Sequence, residues 1–264
     1  MPDRLDPDRI RDGLSPAARG WLSRIDVFES IGSTNTHLMG LADAAEIDGH
    51  ICLAEHQFAG RGRRGRSWTT PRGESLALSV GHRLDVAPAR LGALSLVVGL
   101  AVASALERCG VTRVGLKWPN DIIHDEAKLG GILIEVVPLK VPAVTVIGVG
   151  INISRGSQAL ASVETPVAVT DDAVPGLDRN VVASALIDAV HEFAVLFERF
   201  GFGRFHAAWD ALNVHADRRV TITSGTDRVD GTVRGVTESG ELIIETAAGT
   251  RSFNSGEVSL RAIG

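Results

Sequence analysis

Cysteine is nearly missing from this chain of 264 residues, and the two that occur, Cys52 and Cys109, stand far apart among apolar neighbours. That rules out a disulfide framework. With no partner at metal-ligand spacing, both read as small core residues of a reducing compartment. Long apolar runs are missing too: the longest, Leu91 to Leu106, falls below the roughly 18 residues of a membrane span. The opening Met1-Pro2-Asp3-Arg4-Leu5-Asp6 has no apolar core of a secretion signal, so a cytoplasmic protein without a membrane is expected. H-E-x-x-H and G-x-S-x-G are both absent, which speaks against a zinc cage and a triad hydrolase. A net charge of -5 leaves no broad basic face for nucleic acid. What remains, 44% hydrophobic and 22% charged residues, is a globular composition able to bury a full core.

One further absence is local. Between Glu55 and Glu74 there is no acidic residue, while Arg61, Arg63, Arg64, Arg66 and Arg72 fall inside that window. Glycine lets backbone N–H groups approach a ligand, and arginine offers paired planar donors to phosphate or carboxylate oxygens, so the window points to an anionic ligand. Gly60, Gly62 and Gly65 spell G-x-G-x-x-G, but a dinucleotide fingerprint opens a helix after a strand. Here Trp68-Thr69-Thr70-Pro71 follows, then the alternation of Leu76, Leu78 and Val80, which is a strand. The segment is a basic flap between strands; a solvated basic turn is the bland alternative.

Along the chain, residues 1–24 read as a lead-in punctuated by Pro7 and Pro16. Residues 25–214 form a mixed sheet with packed helices, and 215–264 a small five-stranded barrel of SH3-like size, from short alternating segments divided by glycine turns. Strands are expected at Ile25–Phe28, Ile51–Glu55, Glu74–Arg83, Val114–Lys117, Ile132–Val137 and Val144–Ile153. Helices are expected after Ser33-Thr34, carrying Leu38, Leu41 and Ala45, then as one piece over Asp85–Cys109, and over Asp178–Phe200. A helix capped at Ser33 or Thr34 offers free N–H donors. Gly156–Asn180 reads as a mobile loop.

Three further clusters carry chemistry. Lys117-Trp118-Pro119-Asn120-Asp121 sets a lysine at a strand end and a carboxylate in the following turn; a salt bridge with a tryptophan plug and a magnesium ligand at Asp121 are both open readings. Lys128, before Gly130-Gly131 and a buried strand, projects from the strand's mouth as a point cation suited to growing charge; a solvated lysine is the alternative. Asn152 ends an apolar strand, either as a satisfied core amide or as a ligand contact.

Taken with Gly32-Ser33-Thr34-Asn35, Glu55-His56-Gln57 and the terminal Gly256-Glu257-Val258-Ser259-Leu260-Arg261, these blocks resemble biotin protein ligases over nearly the whole chain, in the family's order. The resemblance implies a catalytic fold related to class II aminoacyl-tRNA synthetases, followed by an SH3-like barrel. It implies ATP and biotin as substrates with Mg2+, formation of biotinoyl-5'-adenylate, and transfer to a lysine of the biotin carboxyl carrier protein of acetyl-CoA carboxylase. Lipoate ligase of the same fold, or a non-enzymatic biotin-responsive regulator, is the alternative.

Carried onto this sequence, biotin is held by Ser33, Thr34, Asn35, Gln57, Arg61, Gly62, Arg63, Lys128 and Gly131. The nucleotide is held by Arg63, Arg64, Arg66, Trp68, Lys117, Asn120 and Asn152, with Lys128 and Arg63 catalytic. Only about thirty residues precede Ser33, so no operator-binding domain is expected. The segment after Ile153 lacks the tryptophan that some members fold over adenine, leaving the adenine contacts unassigned. Monomer and homodimer are both compatible.

Overall fold

Proline opens the first two helices of the computed structural model, which describes residues 3–41, 44–136, 142–156, 166–224, 227–254 and 258–262. Helix α1 (Pro7–Asp12) is capped by the Asp6 carboxylate and α2 (Pro16–Trp21) by the Ser15 hydroxyl, each with proline where its missing N–H costs nothing.

Seven strands follow: β1 (Arg24–Phe28), β2 (His50–Ala54), β3 (Ser75–Leu84), β4 (Val114–Lys117), β5 (Asp121–His124), β6 (Ala127–Val136) and β7 (Ala143–Asn152). They form one mixed sheet in the order β1-β2-β3-β7-β6-β5-β4, in which β1 and β2 run parallel and every other pair antiparallel. Side-chain alternation divides its faces. Ile51, Leu53, Leu76, Leu78, Val80, Ile147, Val149 and Ile151 face the main core, which α5 (Leu94–Arg108) and α6 (Arg179–Phe200) cover. On the other face, Cys52, Val144 and Val146 pack with Leu38 of α3 (Thr34–Met39) and Ile47 of α4 (Ala44–Ile47).

Four expectations change. The helix after Ser33 stops at Met39, because Gly40 caps it and separates Leu41 from its stripe. The expected helix over Asp85–Cys109 is a 3-10 turn at Pro88–Ala93 followed by α5, since Ala87 before the proline is extended (ψ 140). Strand β6 begins at Ala127, so Lys128 lies within it, and β5 forms a hairpin with it. The apolar stretch of residues 89–108 and α6 are each long and apolar enough to cross a membrane, yet their most apolar windows are 67% and 56% buried against the sheet and one another. Both are core helices.

After α7 (His206–Leu212), the strands β8 (Arg219–Ser224), β9 (Asp227–Val236), β10 (Leu242–Thr246), β11 (Gly249–Phe253) and β12 (Val258–Ala262) make an antiparallel sheet in the order β11-β10-β9-β8-β12. The buried Trp118 donates its indole N–H to Gly240 O at 3.1 Å, tying the end of β4 to this sheet. The loop expected over Gly156–Asn180 contains a short 3-10 turn at Thr170–Asp172; its residues 157–165 lie outside the described residues, as do Gly256 and Glu257 of the terminal block.

Candidate functional site

Small residues floor a cleft on the α3 side of the sheet. In register, Ser79 faces Gly148, Ala77 faces Gly150, and Gly150 faces Gly131, so three adjacent strands present almost no side chain there. The bareness is used. A Cβ on Gly148 would lie 2.4 Å from Asn35 Oδ1, and one on Gly150 would lie 2.5 Å from the Trp68 indole. Asn35 and Trp68 therefore rest directly on the sheet backbone and wall a cavity of about 210 Å³.

A bonded network fixes one wall. Thr34 N donates to Gln57 Oε1 at 2.8 Å, and Gln57 Nε2 donates to Thr70 Oγ1 at 3.1 Å. Ser79 Oγ donates to Asn35 Oδ1 at 2.6 Å, while Asn35 Nδ2 reaches Leu133 O at 3.1 Å and Glu135 Oε2 at 3.0 Å. Thr34, Asn35, Gln57, Thr70 and Ser79 are buried and bonded to one another or to the sheet, so the wall is set before any ligand arrives. The expected row of free N–H donors is not what α3 offers, because its first amide is consumed by Gln57.

The opposite wall is the basic loop. Trp68 N donates to Gly60 O at 2.9 Å and Gly62 N to Arg66 O at 2.7 Å, pinching residues 60–68 into a hairpin whose tip holds Arg64 at φ 59 and Gly65 at φ 72. Arg61 pairs with Glu135 at 3.0 Å, and Arg63 Nη1 donates to Asn120 Oδ1 at 3.4 Å. Burial lowers the pKa of Arg63 while Asp121 supports its charge. A guanidinium starts high enough to remain cationic.

Lys128 reaches the cleft through a defect in the ladder. Ile122 pairs with Gly130 and Ile123 with Lys128, leaving Leu129 as an extra residue on β6. A bulge shifts the alternation by one, which turns Lys128 to the same face as Gly131. Its Nζ stands 2.5 Å from Asp121 Oδ1 and 5.6 Å from the Trp68 ring centre, a carboxylate on one side and an aromatic face on the other.

The cleft thus gathers Ser33, Thr34, Asn35, Gln57, Arg61, Gly62, Arg63, Arg64, Arg66, Trp68, Lys117, Asn120, Asp121, Lys128 and Gly131, all named from sequence. Asn152 stands apart from this lining: it is buried, and Nδ2 donates to Lys128 O and Ala168 O, each at 3.2 Å. Ser79, Glu135, Gly148 and Gly150 were missed; the alternate glycines of Gly148-Val149-Gly150 were the legible sign of close approach by something large. Asp121 is a single carboxylate, compatible with a magnesium ion held mostly by substrate phosphates and water.

Comparison with known proteins identifies the family of the chain. The biotin/lipoate A/B protein ligase family matches residues 27–152, and the biotin protein ligase C-terminal domain matches residues 215–261. A biotin--[acetyl-CoA-carboxylase] ligase of Mycobacterium tuberculosis is 36% identical over 96% of this chain and 95% of its own. The bifunctional ligase/repressor BirA of Salmonella typhimurium is 35% identical over 98% of this chain and 79% of its own. The structure of a biotin protein ligase from Aquifex aeolicus in complex with biotin and ATP superposes with a TM-score of 0.78 at 27% identity, covering 92% of this chain and all of that one.

Proposed function

We propose that this chain, which belongs to the biotin/lipoate A/B protein ligase family and is a biotin ligase, divides its reaction between the two walls of the cleft. It activates biotin with ATP and transfers it to the carboxylase. The observation that carries the division of labour is the meeting of a rigid polar pocket, an arginine hairpin and Lys128 over one bare patch of sheet.

Biotin's polar ring sits against Ser33, Thr34, Asn35 and Gln57, and its tail runs between Asn35 and Trp68, past Gly131, toward Lys128. The biotin carboxylate attacks the α-phosphorus of ATP and pyrophosphate leaves, giving biotinoyl-5'-adenylate. Negative charge grows between these two anions. Lys128 exchanges Asp121 for them, and Arg63 closes from the other side, so both stabilise the transition state more than the separate substrates. Arg61, Gly62, Arg64, Arg66 and Trp68 cover the mixed anhydride and keep water from it. Lys117 and Asn120 face the phosphates, while Asn152 braces the strand that carries Lys128. A magnesium ion at Asp121 would neutralise phosphate charge. In the second half-reaction a lysine amine attacks the acyl carbon and AMP leaves.

We assign residues 25–214 to this chemistry and 215–264 to an SH3-like appendage. The acceptor is the carrier domain of acetyl-CoA carboxylase, and the setting the cytoplasm. Labelled biotin, incubated with the protein, ATP, magnesium and that carrier domain, is expected to become bound to one lysine. No label on the carrier, with lipoate incorporated instead, would reverse the substrate assignment.

A further inference from the structure

Behind the pocket wall, on the far side of α3, three ligating side chains from separate elements converge. Asp26 of β1, His37 of α3 and His50 of β2 present one atom each, all within 4.8 Å of one another. His50 Nε2 lies 2.8 Å from Asp26 Oδ2, and His37 Nε2 lies 3.9 Å from the same oxygen. Four-coordinate zinc at about 2.0–2.1 Å from each ligand holds neighbouring donor atoms roughly 3.4 Å apart, between those two spacings.

Their orientation points the same way. His50 Nδ1 stands 3.3 Å from Glu46 O, and a carbonyl can only accept, so this nitrogen carries the ring proton. Nε2 faces the Asp26 carboxylate at 2.8 Å, where a metal ion can take the place of the proton the two groups share. Asp26 Oδ1 is already occupied by Arg24 Nε at 2.8 Å, which leaves Oδ2 for the imidazoles. Such outer partners fix metal ligands elsewhere: a backbone carbonyl on the distal ring nitrogen, a donor on the spare carboxylate oxygen. His50 and Asp26 are largely buried, while the His37 side chain is 30% exposed and opens the site to solvent. Cys52 is buried on the same face of the sheet and contributes no atom to the cluster.

We propose that Asp26, His37 and His50 bind a divalent transition metal of the zinc class, with water completing the shell. The ion would fasten α3, which carries Ser33, Thr34 and Asn35 into the cleft, to the first two strands of the sheet. This site is separate from Asp121, and none of its three ligands is assigned to the ligase chemistry.

The test is direct titration of the chelator-treated full chain, with Zn2+ followed by calorimetry and Co2+ by visible absorption. One equivalent should bind, with Co2+ giving the intense bands of low coordination number. His37→Ala removes a ligand from the solvent side, where folding is least at risk, and should weaken binding by more than about tenfold, the scale at which even outer-shell losses register. Zn2+ should raise the melting temperature of the wild type and leave that of His37→Ala unmoved. No saturable binding at one equivalent overturns the proposal. So does an affinity unchanged in His37→Ala but lost in His191→Ala, which would place the metal on the His82–His191 pair instead.

Discussion

The indole of Trp68 lies against the bare backbone of Gly150, where a Cβ would meet its Nε1 and Cε2 at 2.5 Å. The basic hairpin is therefore seated on the sheet through a residue that has no side chain. Gly150→Ala should lift Trp68 off its seat and loosen the cover over the adenylate. Overpacking costs about 1–3 kcal/mol, which expressed as lost adenylate affinity is about 5- to 150-fold. Rapid filtration of preformed biotinoyl-adenylate measures this, and in a Trp68→Ala background the same substitution should have little further effect. Equal retention by wild type and Gly150→Ala would detach the hairpin from the cover.

Lys128 stands 2.5 Å from Asp121 and faces the cleft, so its charge is held in readiness by a carboxylate. Lys128→Ala should slow biotin-dependent pyrophosphate release by about 10²–10³-fold, the usual loss when a donor to developing charge is removed. Biotin affinity by calorimetry should change by less than about tenfold, because that charge appears only in the transition state. The double variant with Asp121→Asn should not recover the rate. A recovery would mean the single variant fails through an unpaired carboxylate.

Much of this site was legible because its chemistry is concentrated in short blocks: glycine with arginine in residues 60–66, and lysine beside paired glycines at 128–131. Strand alternation likewise set the faces of β3 and β7. What escaped depended on register and on distant partners. The extra residue at Leu129 turns Lys128 to the cleft only once β5 pairs with β6, and β5 itself is too short to show a period. The work of Asn35 and Gln57 as braces depends on Ser79, Glu135 and Thr70, each far away in sequence. Asn152 carried both readings until its bonds to Lys128 O and Ala168 O showed the amide committed to backbone.

His215 is buried, its Nδ1 has no partner among the described residues, and burial, with Lys117 and Arg218 nearby, lowers its pKa to about 4. Burial, then the neighbouring His82, likewise brings His191 to about 4. In the unfolded chain both return to 6.5. Between these values the unfolded state binds more protons, so stability is complete above about pH 6.5 and declines as pH falls toward 4. Asp178, at about 2 in the fold against 3.8 ordinarily, acts only below this window. Urea midpoints at pH 7, 6 and 5 should fall in that order, and His215→Gln should flatten the decline. A midpoint constant from pH 7 to 5 would show that these imidazoles are not kept neutral by the fold.

Arg179 is 1% exposed at the start of α6, and its Nη1 donates to Glu55 Oε2 at 2.8 Å while Nε donates to Asp3 Oδ1 at 2.9 Å. Burial alone would lower its pKa; the hydrogen bonds to Glu55 and Asp3 more than offset this and hold it charged. Glu55 in turn accepts from Leu5 N at 2.7 Å, so one buried pair joins the N-terminal segment, the end of β2 and α6. The net contribution of a buried pair is small, because desolvation opposes attraction, but removing one partner strands the other charge in the core. Arg179→Met should therefore cost about 3–5 kcal/mol in urea unfolding at pH 7. Arg179→Met with Glu55→Gln should recover part of that loss, because the stranded charge is gone even though its hydrogen bonds are not restored. If the double variant is less stable than the single by the full cost of a second lesion, Glu55 is held by its bond to Leu5 rather than by Arg179, and the N-terminal segment is anchored without the ion pair.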